Sequence, residues 1–394
     1  MSDWKEYKLS ALVDKIIDNR GKNPPYSENG HEVIETSCIS GTNRFPDYSQ
    51  IKKFVSEQCY QSWFRAGHPE KDDLLLITVG NGIGSISIMD ENRGVLTQNL
   101  IGLRINKTNA DPNYLFYYLS MDAIQDYLRG LDIGSAQPSI KVPHLMNTDI
   151  PLPSLVEQHQ IALILMSLDD KIDLLQRQNQ TIEQLVGTLF RHWFIVEPDS
   201  TWNETNLDEL VEFNPREKID KQKEYTFYEM KCLSNDSMSI SDGVKRIVPS
   251  ATSFRNGDTL LAKITPCLEN GKIGFVMHLD ENEIGRGSTE FVVMRGKEQT
   301  SPYWIYCLAR SQDFRDIAVL SMTGTSGRQR VQVDVLKDYK VQVNQDVMNN
   351  FHKKGQPYFD KIKVNQIQIR TLTQLRDTLL PKLMGGEFRV NRNE

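Results

Sequence analysis

The stretch LDDKIDLLQRQNQTIEQLVGTLFRHW (168–193) returns in similar form as YFDKIKVNQIQIRTLTQLRDTLLPKL (358–383). In each copy apolar residues recur at alternating steps of four and three positions, which is the spacing of a coiled-coil seam and not the broader stripe of a globular helix. The first predicted seam is Ile161, Leu165, Leu168, Ile172, Leu175, Asn179, Ile182, Val186, Leu189 and Trp193. The second is poorer but keeps the phase: Phe351, Gly355, Tyr358, Ile362, Asn365, Ile369, Leu372, Arg376, Leu379 and Leu383.

Two seams in one chain most simply bury each other. If a pseudo-twofold axis relates the two copies, the helices run antiparallel. Asn179 then faces Asn365, where each buried amide satisfies the other and fixes the register; alternatively, each asparagine only marks an exposed stretch. The same register predicts the neighbours Leu175 and Ile369, Ile172 and Leu372, Ile182 and Ile362, Leu189 and Gly355, and Trp193 and Phe351.

The second helix carries residues that disfavour a long, tight helix. These residues are Gly355, Pro357, Asn365 and Arg376. Because proline removes a helical hydrogen bond and crowds the preceding turn, we expect this helix to start late, near residue 357, and to pair less tightly.

The repeat extends over the rest of the chain. WKEYKLSALVD (4–14) returns as WNETNLDELVE (202–212), DDLLLITVGNGIGSISIMDENRG (72–94) as GDTLLAKITPCLENGKIGFVMHLDENEIG (257–285), DPNYLFYYL (111–119) as SPYWIYCLA (301–309), and LDIGSAQPSIKVPHL (131–145) as SMTGTSGRQRVQVDVL (321–336). Pairs in the same order at a nearly constant offset indicate an internal duplication.

Each copy has a globular part with mixed strand and turn patterns, followed by a long helix. The predicted fold is therefore α+β: two similar globular domains separated by a pair of long antiparallel coiled-coil helices. The predicted boundaries are 1–155 for domain 1, 156–197 for helix 1, 198–346 for domain 2 and 347–394 for helix 2. At ~1.5 Å per residue, a helix of roughly 38 residues is about 57 Å long, a rod that suits a protein measuring a distance.

Composition favours an ordinary cytoplasmic protein. The 394 residues are 39% hydrophobic and 25% charged, and no apolar run approaches the length of a membrane span. Five scattered cysteines without C-x-x-C spacing are expected to be reduced thiols and not metal ligands. The net charge of −6 argues mildly against nucleic-acid binding, so a DNA-binding face would need a local concentration of Lys and Arg.

One tetrapeptide suggests an enzyme. Asn23-Pro24-Pro25-Tyr26 has the form of the loop with which DNA adenine methyltransferases grip a flipped adenine, and Gly80, Gly82 and Gly84 could imitate a cofactor loop in a circularly permuted order. However, Gly84 is followed by the strand pattern SISIMD, where a phosphate loop would open a helix. The corresponding stretch of the second copy contains ENGK, a turn signal. We therefore interpret both motifs as turns and keep the permuted methyltransferase as the alternative.

Other catalytic and metal-binding patterns are absent from the sequence. It contains no H-E-x-x-H, G-x-S-x-G or G-K-[ST] motif, and the seven histidines are scattered. Asp72-Asp73 precedes an apolar strand without a nuclease-like Glu-x-Lys and is interpreted as a turn. We predict no catalytic residue and no metal ligand.

In these features, the chain resembles the specificity subunit of type I restriction–modification systems. The resemblance covers the duplicated plan, RGKNPP (20–25), GSAQPSI, GTSGRQRVQV, the helix beginning LPSLVEQHQIALILMSLDDKIDLLQRQNQTIEQL and the end LLPKLMGGEF. It implies two target-recognition domains that each read one half of a split DNA site, with helices that set the unread spacer and dock methyltransferase subunits. It implies no catalysis and no cofactor on this chain.

The resemblance also implies partners. These are double-stranded DNA, two modification subunits that use S-adenosylmethionine, and two restriction subunits that use ATP, with Mg expected on the partners. A scaffold that binds only proteins is a second alternative.

Candidate DNA contacts are loop residues whose side chains can read base edges or hold phosphates. In domain 1 they are Arg20, Lys22, Asn43, Arg44, Asn81, Gln98, Asn99, Ser135, Gln137 and Lys141. In domain 2 they are Lys263, Asn270, Lys272, Arg286, Ser288, Thr289, Thr325, Ser326, Arg328, Gln329 and Arg330. The loop TGTSGRQRVQV is the strongest candidate, and its alternative interpretation is a solvated surface turn.

Overall fold

The structure, a computed structural model, describes residues 4–41, 43–80, 82–131, 138–196, 198–199, 201–248, 250–325 and 327–389. The chain divides into two compact units, Met1–Ile172 with Thr371–Glu394, and Asp173–Arg370. Each unit therefore contains one globular half and one end of each long helix.

The first half contains ten strands and four short helices among the described residues. The strands are β1 Lys5–Lys8, β2 Val13–Ile17, β3 Tyr26–Ser27, β4 His31–Ile34, β5 Phe54–Val55, β6 Leu74–Ile77, β7 Ile86–Ile88, β8 Val95–Leu96, β9 Leu100–Ile105 and β10 Asp149–Leu152. The helices are α1 Glu57–Ser62, α2 Pro112–Ser120, α3 Asp122–Gly130 and α4 Val142–Met146, and the long helix α5 Leu155–Arg191 follows.

The second half has a similar order, but a short helix follows its first strand and none lies between β15 and β16. Its strands are β11 Asn203–Asn206, β12 Val211–Phe213, β13 Tyr225–Tyr228, β14 Val244–Arg246, β15 Thr252–Phe254, β16 Thr259–Ala262, β17 Ile273–Phe275, β18 Gly285–Gly287, β19 Phe291–Gly296 and β20 Lys340–Val343. Its helices are α6 Leu207–Leu210, α7 Pro302–Arg310, α8 Gln312–Leu320, α9 Val333–Lys337 and the long helix α10 Gln345–Met384.

Sheet topology confirms the duplication. The main sheets have the orders β2-β9-β6-β7 and β12-β19-β16-β17, both antiparallel throughout. A separate antiparallel pair joins the beginning and end of each half, β1 with β10 and β11 with β20. The second sheets share a parallel pair, β4 with β8 and β13 with β18, but differ in their outer strands.

Both faces of each main sheet are buried. In β6, Leu74 and Leu76 pack with residues of α2 and α3, whereas Leu75 and Ile77 pack toward the second sheet. Because side chains alternate along a strand, two buried faces produce the continuous apolar run that the sequence shows.

The glycine-rich stretch after β6 is a hairpin connection, as the sequence predicts. Strands β6 and β7 pair antiparallel on either side of it, with Leu76 opposite Ile86. Gly80 and Gly84 have φ values of +100° and +88°, a region that glycine enters without a steric penalty.

The long helices pair antiparallel within the second unit, and the predicted asparagine contact is confirmed. Asn365 Nδ2 donates to Asn179 Oδ1 at 2.7 Å and to Gln178 Oε1 at 2.8 Å. The Trp193 and Phe351 rings meet edge to face with centroids 6.1 Å apart, as the register requires. The two amides do not fully satisfy each other, because Asn365 Oδ1 has no partner among the described residues.

Helix α10 differs from the expectation in where it begins. It starts at Gln345 and not near residue 357. Asn344 caps the first turn, since its Oδ1 accepts hydrogen bonds from the N–H groups of Asp346 and Val347. Pro357 lies inside the helix and is exposed.

Two further seam positions, Gly355 and Arg376, have neighbours that the sequence analysis does not name. A methyl group added to Gly355 would meet Tyr303 at 3.5 Å, so the large residue nearest this glycine is Tyr303 and not Leu189. In the first unit Arg376 donates to Asp169 at 2.8 Å, and Asp169 also accepts from Tyr117 at 2.6 Å. A charged residue is tolerated in this seam because it is paired.

Candidate nucleic-acid interface

Four segments of the first half meet at one end of its main sheet. The Thr78 N–H donates to Asn99 O and the Ile140 N–H donates to Thr78 O, both at 2.8 Å. The Gln98 side chain donates to Gly21 O at 3.0 Å. We define loop cluster 1 as residues 18–22, 78–80, 97–99 and 138–141.

The same arrangement recurs in the second half. The Lys263 N–H donates to Glu290 O and the Val331 N–H donates to Lys263 O, both at 2.9 Å. The Thr265 N–H donates to Gln329 O at 3.1 Å, as the Gly80 N–H does to Pro138 O in the first half at 3.0 Å. We define loop cluster 2 as residues 214–217, 263–265, 288–290 and 328–331. Equivalent loops are thus fixed by equivalent backbone hydrogen bonds.

Loop cluster 1 contains five of the predicted contacts, Arg20, Lys22, Gln98, Asn99 and Lys141. Lys22 and Lys141 are exposed cations, whereas the Arg20 guanidinium is held by Asp18 at 2.7 Å and by Thr78 Oγ1 at 2.9 Å. The hydrogen bond from Arg20 keeps the pKa of Asp18 below its usual value. Asn81, Ser135 and Gln137 lie outside the described residues.

Asn43 and Arg44 lie beside β7. The Ile88 N–H donates to Arg44 O at 2.9 Å, and Asn43 is exposed. Only 9% of the Arg44 side chain is exposed, and its guanidinium pairs with Asp170 of α5 at 2.6 Å. Arg44 therefore joins the globular half to α5 through a salt bridge, and its guanidinium is not available for DNA.

Loop cluster 2 contains Lys263, Ser288, Thr289, Arg328, Gln329 and Arg330. Arg328 is exposed, and its N–H donates to Thr325 O at 2.9 Å, which brings Thr325 beside the cluster. Arg330 makes a bidentate pair with Glu290 at 2.6 and 3.0 Å, and its hydrogen bonds lower the pKa of Glu290. Ser326 lies outside the described residues.

The remaining domain 2 candidates are placed differently from one another. Asn270 is exposed in the turn between β16 and β17, whereas Lys272 Nζ donates to Leu233 O at 2.6 Å. Arg286 is enclosed and lines a pocket together with Arg216 and Ser253. Neither Arg216 nor Ser253 is among the residues predicted from the sequence. The repeat contained a signal for Arg216, because FNPREK (213–218) is the counterpart of the loop that carries Arg20 and Lys22.

The motifs that suggest an enzyme have structural explanations. Tyr26 lies in β3 opposite Val55, and its hydroxyl donates to Asn23 Oδ1 at 3.4 Å. Asp73 is 1% exposed and pairs with Arg104 at 2.9 Å. Asp258 and Arg295 repeat that pair in the second half at 2.7 Å. Within the described part of the chain, no group of His, Cys, Asp and Glu side chains is arranged to hold a metal ion.

The long helix α5 also exposes apolar side chains. Leu163, Leu174 and Leu185 are 49%, 53% and 43% exposed and are eleven residues apart, which is close to three helical turns. They therefore form a stripe on one side of the helix, called here the outer leucine stripe. Among the described helices, none is long and apolar enough to cross a membrane.

Comparison with known proteins gives one consistent result. Residues 1–184 match the family model described as type I restriction modification DNA specificity domain. The chain is 29% identical to the MjaIX specificity subunit of Methanocaldococcus jannaschii, over 80% of this chain and 78% of that one. It is 22% identical to the MjaVIII specificity subunit of the same organism, over 98% and 93%.

A solved structure is similar along almost the whole chain. The S subunit of a type I restriction–modification system from M. genitalium aligns with a TM-score of 0.56 at 16% identity, covering 99% of this chain and 97% of the other. This similarity shows a shared fold.

Proposed function

We propose that the chain is a type I restriction–modification DNA specificity subunit, as its similarity to the family model over residues 1–184 and to the MjaIX and MjaVIII specificity subunits supports, and that each globular half reads one part of a split DNA target. The chain is the DNA-recognition subunit of such a complex and not its catalytic part. The observation that carries the two-part reading is the recurrence of loop clusters 1 and 2, which equivalent backbone hydrogen bonds hold in the two halves.

The loop clusters offer the groups that DNA recognition needs. Lys22 and Lys141 in cluster 1 and Arg328 in cluster 2 are exposed cations in a chain of net charge −6. Amide and hydroxyl groups beside them, such as those of Gln98 and Thr289, are suited to base edges. Because phosphate contacts position a protein while base contacts specify the sequence, an acidic chain suits this task when partner subunits supply further phosphate contacts.

We further propose that the paired helices set the distance between the two half-sites and dock the modification subunits. The asparagine contact fixes the register of the pair, and the three exposed leucines of the outer leucine stripe are the proposed apolar contacts for the modification subunits. In this proposal two modification subunits bring S-adenosylmethionine and two restriction subunits bring ATP and Mg, and the complex works in the cytoplasm. The permuted methyltransferase alternative has no support from the family, the fold or the Asn23–Tyr26 geometry.

Repeated selection from random duplexes tests this function. The chain assembled with its modification subunits should retain duplexes that share two short conserved blocks at a constant separation. Retention of no sequence would contradict DNA recognition and would favour the scaffold that binds only proteins.

A further inference from the structure

Among the described residues, Arg286 is a buried cation without a counter-ion. It lies at the centre of β18 and is only 4% exposed. Its Nη1 donates to Ser253 Oγ at 2.7 Å and its Nη2 to Val248 O at 3.1 Å, both neutral acceptors. Its buried Nε has no partner in the part of the chain that the structure describes. Burying an unpaired charge is costly, so this site is incomplete by itself.

The surroundings of Arg286 form a positively charged pocket. The pocket is open, measures about 400 Å³, and is also lined by Arg216, Lys263 and Thr289. The single carboxylate among its lining residues belongs to Glu217. That carboxylate already forms salt bridges with Arg255 at 2.5 Å and with Arg295 at 2.7 Å. Three cations and hydroxyl donors therefore surround this space. The neighbouring Glu290 interacts with Lys263 but is itself paired with Arg330 at 2.6 Å, so it does not balance the charge of Arg286.

The first half shows that the fold does not require an arginine here. In the parallel pair of β13 and β18, Arg286 lies opposite Phe227. In the equivalent pair of β4 and β8, Val95 lies opposite Val33 and is fully buried. An apolar residue thus fills the same strand position in the duplicate. Unlike the edge strand β8, β18 also pairs with β15, so Arg286 makes a structural contact through Ser253. That neutral contact does not compensate the buried charge of Arg286.

We propose that this pocket binds an oxyanion of the phosphate class. Arg286 supplies the buried charge, while Arg216 and Lys263 contact the anion from the open side. The guanidinium fork and the hydroxyls of Ser253 and Thr289 suit the oxygens of a phosphate group. A phosphodiester of DNA lying on loop cluster 2 and a free phosphate-type anion present the same chemistry. The DNA source rests on the proposed function, whereas the free anion does not.

Thermal unfolding of the full chain in inorganic phosphate tests the site without DNA. At constant ionic strength, phosphate at several times its Kd should raise the Tm of the wild type by roughly 1–2 °C. The variant Arg286→Met should lose this shift and keep or exceed the wild-type Tm in chloride alone, because it removes an unpaired buried charge. Lys263→Met, which leaves the buried strand intact, should reduce the shift. Arg246→Met, which removes an arginine paired with Glu229 outside the pocket, should retain it.

An equal phosphate response in wild type and Arg286→Met would overturn the proposal, as would no response in the wild type. If Arg286→Met does not fold, the comparison of Lys263→Met with Arg246→Met decides in the same way.

The DNA arm identifies the source of the anion. For the complex with its modification subunits, the slope of log K against log salt should fall in magnitude by about 0.9 in Arg286→Met if the pocket holds a DNA phosphate. An unchanged slope together with the phosphate-dependent Tm shift assigns the pocket to a free anion. A complex that binds no DNA at all would refute the proposed function, while the Tm result would still decide the pocket.

Discussion

Asn365 is the residue on which the register of the helix pair depends most. It is fully buried, and its amide group donates to both Gln178 and Asn179. Replacing it by alanine leaves the Asn179 amide buried without its partner, which should lower the free energy of unfolding by about 1–3 kcal/mol. Urea unfolding measures this loss. Gln368→Ala, at an exposed position of the same helix, should stay within about 0.5 kcal/mol of the wild type. Equal stability of Asn365→Ala and wild type would contradict the role of the contact.

Arg328 is the residue that tests the separate reading of half-sites. It is exposed in loop cluster 2, so Arg328→Ala should weaken DNA binding by about 1–3 kcal/mol if it contacts a base. Duplexes with one or the other half scrambled, titrated with the assembled complex, locate the effect. The variant should lose discrimination in one half and keep it in the other, and Lys22→Ala should affect the opposite half. Equal loss in both halves would argue against two readers. Arg330→Ala is expected to act on the same half as Arg328→Ala.

The sequence could predict which residues carry groups suited to DNA contacts, but it could not predict which of those groups are exposed. Lys22, Lys141 and Arg328 are exposed as a DNA contact requires, whereas Arg44 is paired inside the fold and Arg286 is enclosed. The sequence states which side chain stands at a position but not which partner lies across from it. Asp170 is far from Arg44 along the chain, and only the fold brings the two together.

At the scale of elements, both halves contain an equivalent buried Asp–Arg pair. Asp73 with Arg104 and Asp258 with Arg295 join the neighbouring strands β6 with β9 and β16 with β19 near their ends. Arg295→Ala would leave the buried Asp258 carboxylate without its cation. The free energy of unfolding, measured in urea, should fall by about 3–5 kcal/mol. Arg246→Gln, at a partly exposed arginine of the same half, should cost far less.

The loss in Arg295→Ala should depend on pH in one direction. Burial raises the pKa of Asp258 in the folded protein. A carboxyl group with a raised folded pKa contributes stability at low pH that is lost as pH rises through that pKa. Removing Arg295 exaggerates this behaviour, so the deficit should be larger at pH 7 than near pH 4. A deficit that grows as pH falls would show that the pair is not the cause.

The elements themselves follow from periodicity. The four-three spacing predicted α5 and α10, and the apolar runs predicted buried strands, because burial on one or two faces imposes those patterns. The predicted start of α10 near residue 357 was wrong. The helix begins at Gln345, where Asn344 caps its first turn, and it continues through Gly355 and Pro357. The pocket around Arg286 was beyond prediction because its lining comes from strands far apart in sequence, and their register is set by tertiary pairing.

At the scale of the whole molecule, the outer leucine stripe is the surface proposed to dock the modification subunits. Leu174 is 53% exposed, whereas its neighbour Leu175 is 3% exposed. The double variant Leu174→Gln and Leu185→Gln should therefore fold with a stability close to the wild type and yet lose affinity for the modification subunits. Co-purification and the unfolding midpoint measure the two effects. Leu175→Gln should instead reduce stability, and unchanged assembly of the double variant would remove the stripe from the docking surface.

The internal duplication gives the molecule two equivalent loop clusters, one in each half. Two halves with the same main-sheet order carry equivalent loop clusters, and each compact unit contains one end of each long helix. Because a helix pair of set register would fix the distance between two readers, we propose that this protein recognises two sequences at one separation only.

Sequencing of methylated bases in the genome of cells that express this chain with its modification subunits tests that claim most directly. We predict one bipartite motif, with two specific blocks divided by an unread spacer of constant length, that disappears when this chain is deleted. A single continuous motif, or two blocks at variable spacing, would contradict the account.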